Sequence, residues 1–328
     1  MIDKIRSLAN AIAPIADFFL ATPVLLAVLI LKLVRRLGIW RMPISKAIFD
    51  LTGIYPIRDH YYEPLFNHKK HLVHPLRLER SLPGLDINEV EQLKWLSQFQ
   101  YAAELSQIPV EPTKDALFHY RNPNFAEGDA ECLYSMIRLK KPSKIIEIGS
   151  GYSTMVARLA IDQNTKENPL YVCSHICVEP FEMPWLDEMK GVKVIRERVE
   201  NIDQSIFQLL TENDILFIDS SHMIRPQSDV LTECLQILPT LKPGVLIHFH
   251  DIFTPFDYLD QWLLDEVKFW NEQYLLEAFL SCNPQFKIIL ALNYLTKSHR
   301  NTLESVFPML KEQSPCVEPR SFWVLKTG

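Results

Sequence analysis

From Lys144 onward, apolar positions fall in short continuous runs, each closed by a polar residue and followed by a stretch with helical spacing. Ile145-Ile146-Glu147-Ile148 leads into Gly149-Ser150-Gly151, after which Met155 to Ala160 continues with the period of a helix. Tyr171 to Val178 reads as a second strand closed by Glu179-Pro180, and Val192 to Ile195 as a third. Asp214 to Ile218 follows as a fourth, ending in Asp219-Ser220-Ser221-His222, and Val245 to His250 as a fifth, ending at Asp251. This alternation predicts an α/β fold with a Rossmann-like, doubly wound sheet. Counting 179 − 147 gives 32 residues from the first acid to the second, room for one crossover helix and its loops. Ligands of such sheets lie beyond the carboxyl ends of the strands, so these polar strand ends are expected to converge on one site.

Upstream the pattern changes. Phe18 to Leu31 carries no charge, and Ala11 to Ile15 extends the apolar character past Asp17. A bilayer crossing needs about 20 residues, which leaves this run between a single pass and a shallow helix broken at Pro23. Lys32, Arg35, Arg36 and Arg41 follow at once, and positive residues tend to stay cytoplasmic. Residues 1–42 are therefore expected to be a membrane-associating segment. Contact would run through residues 11–41, with the chain cytoplasmic and attached to the inner face of the cell membrane. A cleaved signal peptide fits poorly, because the run leads into Lys32-Leu33-Val34-Arg35-Arg36 and not into small residues. A soluble packing or dimerisation helix is the competing reading. Residues 43–115 form a proline-interrupted, aromatic extension. Within it Ile87 to Leu105 reads as one amphipathic helix that buries Val90, Leu93, Leu96 and Phe99.

Composition removes several classes of function. At 328 residues and 48% hydrophobic content the chain can bury one substantial core plus an extension. A net charge of −6 argues against a nucleic-acid partner, which needs a clustered cationic surface. The six cysteines are scattered and read as reduced thiols. Cys173-x-His175-x-Cys177 invites a metal reading, yet alternate strand residues lie about 6.6 Å apart, and a buried strand face explains the pattern better. His68-x-x-His71-x-x-His74, beside Lys69 and Lys70, reads as solvated surface.

The chemistry concentrates at the glycine turn and the strand ends. Gly149 and Gly151 allow backbone to approach a ligand, and Ser153 or Thr154 can cap a helix whose free N–H groups favour an anionic group such as a carboxylate. A dinucleotide fingerprint would place glycine or alanine where Thr154 stands. An acid just ahead of the turn, Glu147, suits a ligand carrying ammonium and sulfonium better than one carrying phosphates.

With these residues together, the stretch 116–328 resembles the class I S-adenosylmethionine-dependent methyltransferases. Glu147, Gly149, Ser150, Gly151 and Ser153 match the first motif of that family, Glu179 its ribose-binding acid, and Glu200 with Asn201 the region that contacts adenine. The nearest likeness is to a bacterial branch with Asn122-Pro-Asn-Phe125 and Asp129-Ala130 ahead of the first motif, then Phe217-Ile-Asp-Ser-Ser-His222 and Ile247-His-Phe-His-Asp-Ile252. The resemblance implies a seven-stranded sheet of order 3-2-1-4-5-7-6 with an N-terminal helical extension. Phe286 to Leu290 and Ser321 to Leu325 would form its terminal antiparallel hairpin. It also implies that residues 43–115 cover the pocket, with Tyr61 and Tyr62 contributing to substrate binding, and that S-adenosyl-L-methionine is the cofactor, bound by the first-motif residues, Glu179, Glu200 and Asp219.

Methyl transfer to an alcohol needs an in-line acceptor and loss of the acceptor proton. His222, His250 and Asp251 are the candidates for that step, acting as general base and orienting carboxylate. The set Asp219, His250 and Asp251 is the divalent-metal alternative, resembling the ligand positions of catechol-type enzymes. His248 is expected to hydrogen-bond within the sheet. The aromatic insertion with Trp262, Phe269, Trp270 and Tyr274 reads as core packing, or as a wall for the acceptor. The acceptor would be a small molecule, a glycan or a lipid-linked group. An NAD(P)-dependent oxidoreductase and a non-catalytic membrane-tethered binding protein are the rival functions.

Overall fold

The computed structural model describes residues 2–57, 64–113, 116–266, 268–312 and 318–328, with side chains from residue 12 on except Lys69. Tyr61 and Tyr62 lie outside the described residues. The chain divides into two units, Met1–His74 and Pro75–Gly328.

In the first unit, helix α1 spans Ile2–Leu37 with Pro14 and Pro23 inside it. A one-turn helix at Ile39–Arg41 leads into α2, Pro43–Thr52. Pro43 suits the first turn of a helix, where its missing N–H would have had no partner. Gly53 ends α2 in the left-handed conformation at φ 68, its N–H bonded to the Phe49 carbonyl.

The second unit holds seven strands: β1 Lys144–Ile148, β2 Ser174–Val178, β3 Val192–Ile195, β4 Ile215–Ile218, β5 Leu246–Phe249, β6 Phe286–Ala291 and β7 Phe322–Lys326. Their order in the sheet is β3-β2-β1-β4-β5-β7-β6, as the resemblance implied. β1 to β5 run parallel, and β7 pairs antiparallel with both β5 and β6. The β6–β7 pair is no tight hairpin, because helices Leu292–Ser298, Arg300–Val306 and Pro308–Glu312 connect its strands.

Alternation along each strand sends side chains to two cores. Ile145, Ile215, Phe217 and Leu246 pack on one face with Met136, Ile137, Ala157 and Ala160 from helices Asp129–Lys140 and Tyr152–Glu167. Ile146, Ile148, Leu216, Ile218, Ile247 and Phe249 pack on the other face with Phe207 and Ile237. Each fully buried isoleucine, leucine, methionine or phenylalanine among them stabilises the fold by roughly 1.5–3 kcal/mol.

Two local expectations are corrected. The stretch Ile87 to Leu105 is two helices, Glu89–Ser97 and Ala102–Leu105, and Val90 is 69% exposed. Asn88 starts the first helix in the left-handed conformation, and the Gln92 carboxamide accepts the Ala291 N–H at 2.7 Å, so Gln92, Trp95 and Leu96 form the buried face. β2 begins at Ser174 and not at Tyr171. The Tyr171 N–H is taken by the Asn168 carbonyl in a turn, so residues 171–173 stay off the ladder.

Candidate active site

Register brings the polar strand ends together. Ile148 pairs with both Val178 and Ile218, and Ile218 with Phe249, so the four central strands finish level. The residues just beyond them, Gly149, Glu179, Asp219 and His250, therefore stand side by side. Their backbone is tied by Gly149 N–H to Val178 O at 3.0 Å, Asp219 N–H to Ile148 O at 2.9 Å and His250 N–H to Ile218 O at 2.9 Å.

A cleft of about 250 Å³ opens over the β1, β2 and β4 ends, and Gly149, Glu179, Glu200 and Asp219 line it. Glu179 accepts N–H bonds from Ser150 at 3.1 Å and Phe181 at 2.9 Å. Two accepted bonds leave its carboxylate further lone pairs. Gly149 has φ +83, and a Cβ there would lie 1.9 Å from the Asp219 carbonyl oxygen, so only glycine fits. Gly151 is extended at φ −179, and a Cβ there would meet nothing within 4 Å.

Glu147 is placed differently from the ligand-facing acid that the sequence suggests. It is fully buried beneath the turn, where it accepts the Thr154 hydroxyl and lies 3.6 Å from Cys177 Sγ and 3.3 Å from His175 Nε2. Ser153 is also buried, in the first turn of helix Tyr152–Glu167. Asn201 points its amide at Glu197, 3.1 Å away. Phe181, 69% exposed at the cleft rim, and Arg225 join the lining. Sequence reading had passed over both, although Phe181 follows Glu179-Pro180 at once.

Beyond the cleft lies a buried polar cluster in which each ring nitrogen of two histidines faces carboxylate. His222 Nδ1 is 2.7 Å from Glu272, and its Nε2 is 3.3 Å from Asp219 and 3.5 Å from Asp251. His250 Nε2 is 3.4 Å from Asp129, and its Nδ1 is 3.5 Å from Asp219 and 3.6 Å from Asp251. Burial disfavours the charged ring of His250, but Asp251, Asp219 and Asp129 outweigh it and raise its pKa to about 10. Burial opposes the charge on His222 as well, and hydrogen bonds with Asp219 and Glu272 hold its pKa well above the usual 6.5. Burial alone would raise the Asp219 carboxyl, and the two imidazoles more than reverse that. His248 is the opposite case: it is buried, stacks on Phe217 at 4.1 Å, sits 2.9 Å from Ser321 Oγ and is held neutral by desolvation.

Three members of the cluster were not legible as site residues. Glu272 lies fifty positions from His222. Asp129, noted only as part of a motif, accepts the Arg320 and Ser321 N–H groups at 2.8 and 2.7 Å while facing His250. Arg320 Nη1 sits 3.0 Å from Asp251. Of the aromatic insertion, Trp262 packs with Phe253 and Tyr258 in a small core of its own, and Trp270 lies with its ring 4.3 Å from that of His222.

Residues 146–252, from β1 to just past β5, match the family model described as a methyltransferase domain. Over that stretch the chain matches a methyltransferase domain, the family that its motifs resemble. A protein of Archaeoglobus fulgidus described as uncharacterised is 26% identical over 190 residues, 55% of this chain and 82% of that protein. Among solved structures, methyltransferase PaMTH1 of Podospora anserina is 16% identical, covering 73% of this chain and 87% of that one, at a TM-score of 0.37. The Bacillus cereus O-methyltransferase is 15% identical over 72% and 90%, at a TM-score of 0.36. The Streptomyces achromogenes O-methyltransferase TomG is 15% identical over 71% and 98%, at 0.37. Likenesses of this size say nothing about the acceptor of the methyltransferase domain.

Proposed function

We propose that the enzyme transfers a methyl group from S-adenosylmethionine to a hydroxyl oxygen of a small-molecule, glycan or lipid-linked acceptor. The observation that carries this reading is Asp219. Its side chain lines the cofactor cleft and also belongs to the cluster with His222 and Asp251, so cofactor and proton-handling groups meet at one residue.

The cleft fits the cofactor by its donor set. The free lone pairs of Glu179 suit the two ribose hydroxyls, the Phe181 ring suits adenine, and the open space before Gly151 with the adjoining helix N-terminus suits the carboxylate. When bound, S-adenosylmethionine supplies the electrophilic methyl group, and the remaining task of the protein is to hold the acceptor oxygen opposite the sulfur. Trp270 and Lys268, whose Nζ lies 5.4 Å from the Trp270 ring, are the proposed acceptor-side wall. Glu179→Ala is expected to weaken S-adenosylmethionine binding by about 1.5–3 kcal/mol, the scale of a hydrogen bond to a charged group. Calorimetric titration checks this, and an unchanged affinity would remove Glu179 from the site.

Proton removal from the acceptor is where His222, His250 and Asp251 enter. A histidine that keeps its proton at neutral pH accepts another group's proton poorly. The convergence of Asp219 and Asp251 on the Nε2 of His222 gives the cation reading its geometry, with His222 in the set where sequence reasoning had put His250. Asp219, His222 and Asp251 have donor atoms all within 4.8 Å of one another. Two carboxylates and an imidazole suit Mn²⁺, Fe²⁺ or Zn²⁺ better than Mg²⁺. A cation held there would lower the cost of the acceptor alkoxide.

The acceptor is proposed to lie at the cytoplasmic membrane, because Ile12–Leu37 is long and apolar enough to cross one and its large apolar side chains are uncovered. The test is transfer of labelled methyl from S-adenosylmethionine to envelope lipids and glycans. Label stable to mild alkali is the expected ether. Label released as methanol would mark a carboxyl acceptor and overturn the hydroxyl assignment. Binding of NAD in place of S-adenosylmethionine would return the chain to the oxidoreductases.

A further inference from the structure

We infer that Trp40 to Tyr55 is a second membrane element, an in-plane helix that rests its apolar face on an anionic lipid surface. This rests on the reading of α1 as bilayer-inserted and extends it to residues that the apolar run does not contain.

The face is defined by α2. Ile44, Ile48 and Leu51 stand at i, i+4 and i+7, one side of a helix, and Ile44 is 78% and Leu51 86% exposed. Trp40 before the helix and Ile54 after it are exposed as well. The opposite side of α2 is already partnered: Phe49 is buried, Lys46 pairs with Asp50 at 3.1 Å, and the Tyr55 hydroxyl donates to Asp50 at 3.2 Å. Among the described residues nothing covers this apolar stripe.

Charge and position select the occupant. Residues 32–57 hold five cations, Lys32, Arg35, Arg36, Arg41 and Lys46, against the single acid Asp50, so 5 − 1 gives +4 in a chain whose net charge is −6. A basic segment beside a membrane helix is attracted to anionic headgroups. Tryptophan at the junction matches the preference of its ring for the headgroup level. Leu37 and Ile44 are seven residues apart, so the extended chain spans at most about 25 Å, and any bilayer that takes α1 brings α2 to its surface. An amphipathic helix with an apolar face, a basic flank and low net hydrophobicity lies in that interface.

The test uses the full-length chain in vesicles of phosphatidylcholine with phosphatidylglycerol, carrying a fluorescent amino acid at position 44, 48 or 51, and at 46 as the opposite face. Lipids brominated on the acyl chain serve as quenchers. The expected result is flotation with the vesicles, several-fold stronger quenching at 44, 48 and 51 than at 46, and loss of that difference when phosphatidylglycerol is omitted. Flotation with equal, weak quenching at all four positions would overturn the in-plane helix while leaving α1 in the bilayer. A blue shift at 44, 48 and 51 that rises with protein concentration and ignores brominated lipid would assign the face to a second copy, and overturn it too. A chain that stays with the soluble fraction would remove both elements from the membrane.

Discussion

Gly149→Val is expected to abolish S-adenosylmethionine binding and to destabilise the whole sheet, whereas Gly151→Val should lose binding alone. The two glycines share a turn but differ in cause. At φ +83, Gly149 holds a conformation that a β-branched residue adopts only under strain of about 1–3 kcal/mol. Its new Cβ would also sit 1.9 Å from the Asp219 carbonyl oxygen. Asp219 cannot give way freely, because its N–H bonds Ile148 O and its carboxylate faces both histidines. A loss of about 3 kcal/mol lowers the Tm by roughly 6–12 °C. At Gly151 the extended backbone accepts any residue, and the added side chain fills only the space proposed for the cofactor carboxylate. Melting curves paired with calorimetry separate the two outcomes. A Gly149→Val protein that melts like wild type would contradict the close approach to Asp219.

The difference between these glycines also marks what was legible in the chain. Spacing and residue type located the turn, but only the β1–β4 register tells that Gly149 faces protein and Gly151 faces open space. Strand ends were readable because a fully buried parallel strand is a continuous apolar run, and the first polar residue after it falls at the carboxyl edge. Glu179 and Asp219 are strand ends legible in that way, whereas His250 reads as part of the fifth strand and lies just beyond it. Glu147 carried no signal of its own burial, because a carboxylate inside an apolar run looks the same whether it meets a ligand or, as here, the Thr154 hydroxyl. Glu272 and Arg320 were out of reach for a different reason. They come from a helix start and a loop far along the chain, and no local pattern records which histidine or aspartate a distant side chain will meet. Helix Glu89–Ser97 shows the same limit, since its buried face is set by the bond between Gln92 and Ala291, 199 positions away.

Asp251→Asn is expected to lower turnover by roughly 10²–10⁴ and to leave S-adenosylmethionine affinity close to that of wild type, since Asp251 stands behind the cleft and outside its lining. The same loss should follow His222→Ala, and metal content should fall in both variants, because each removes one of three donors. Chelation should then silence the wild-type enzyme, and Mn²⁺ should restore it. A histidine base predicts another pattern. EDTA would have no effect, one of His222→Ala and His250→Ala would be far more damaging than the other, and metal content would be irrelevant. Full turnover in EDTA thus eliminates the cation, while near wild-type turnover in both histidine variants eliminates the base. Glu272→Gln refines the distinction. Glu272 touches the Nδ1 of His222, on the far side of the ring from Asp219 and Asp251. In the cation reading it fixes the tautomer that leaves Nε2 free to bind, so its loss should weaken metal affinity by about 10–100-fold and be rescued by added Mn²⁺. If neither chelation nor any histidine change mattered, the acceptor would be one that ionises unaided, and the buried carboxylates and imidazoles would act only by holding the β4 and β5 ends in place.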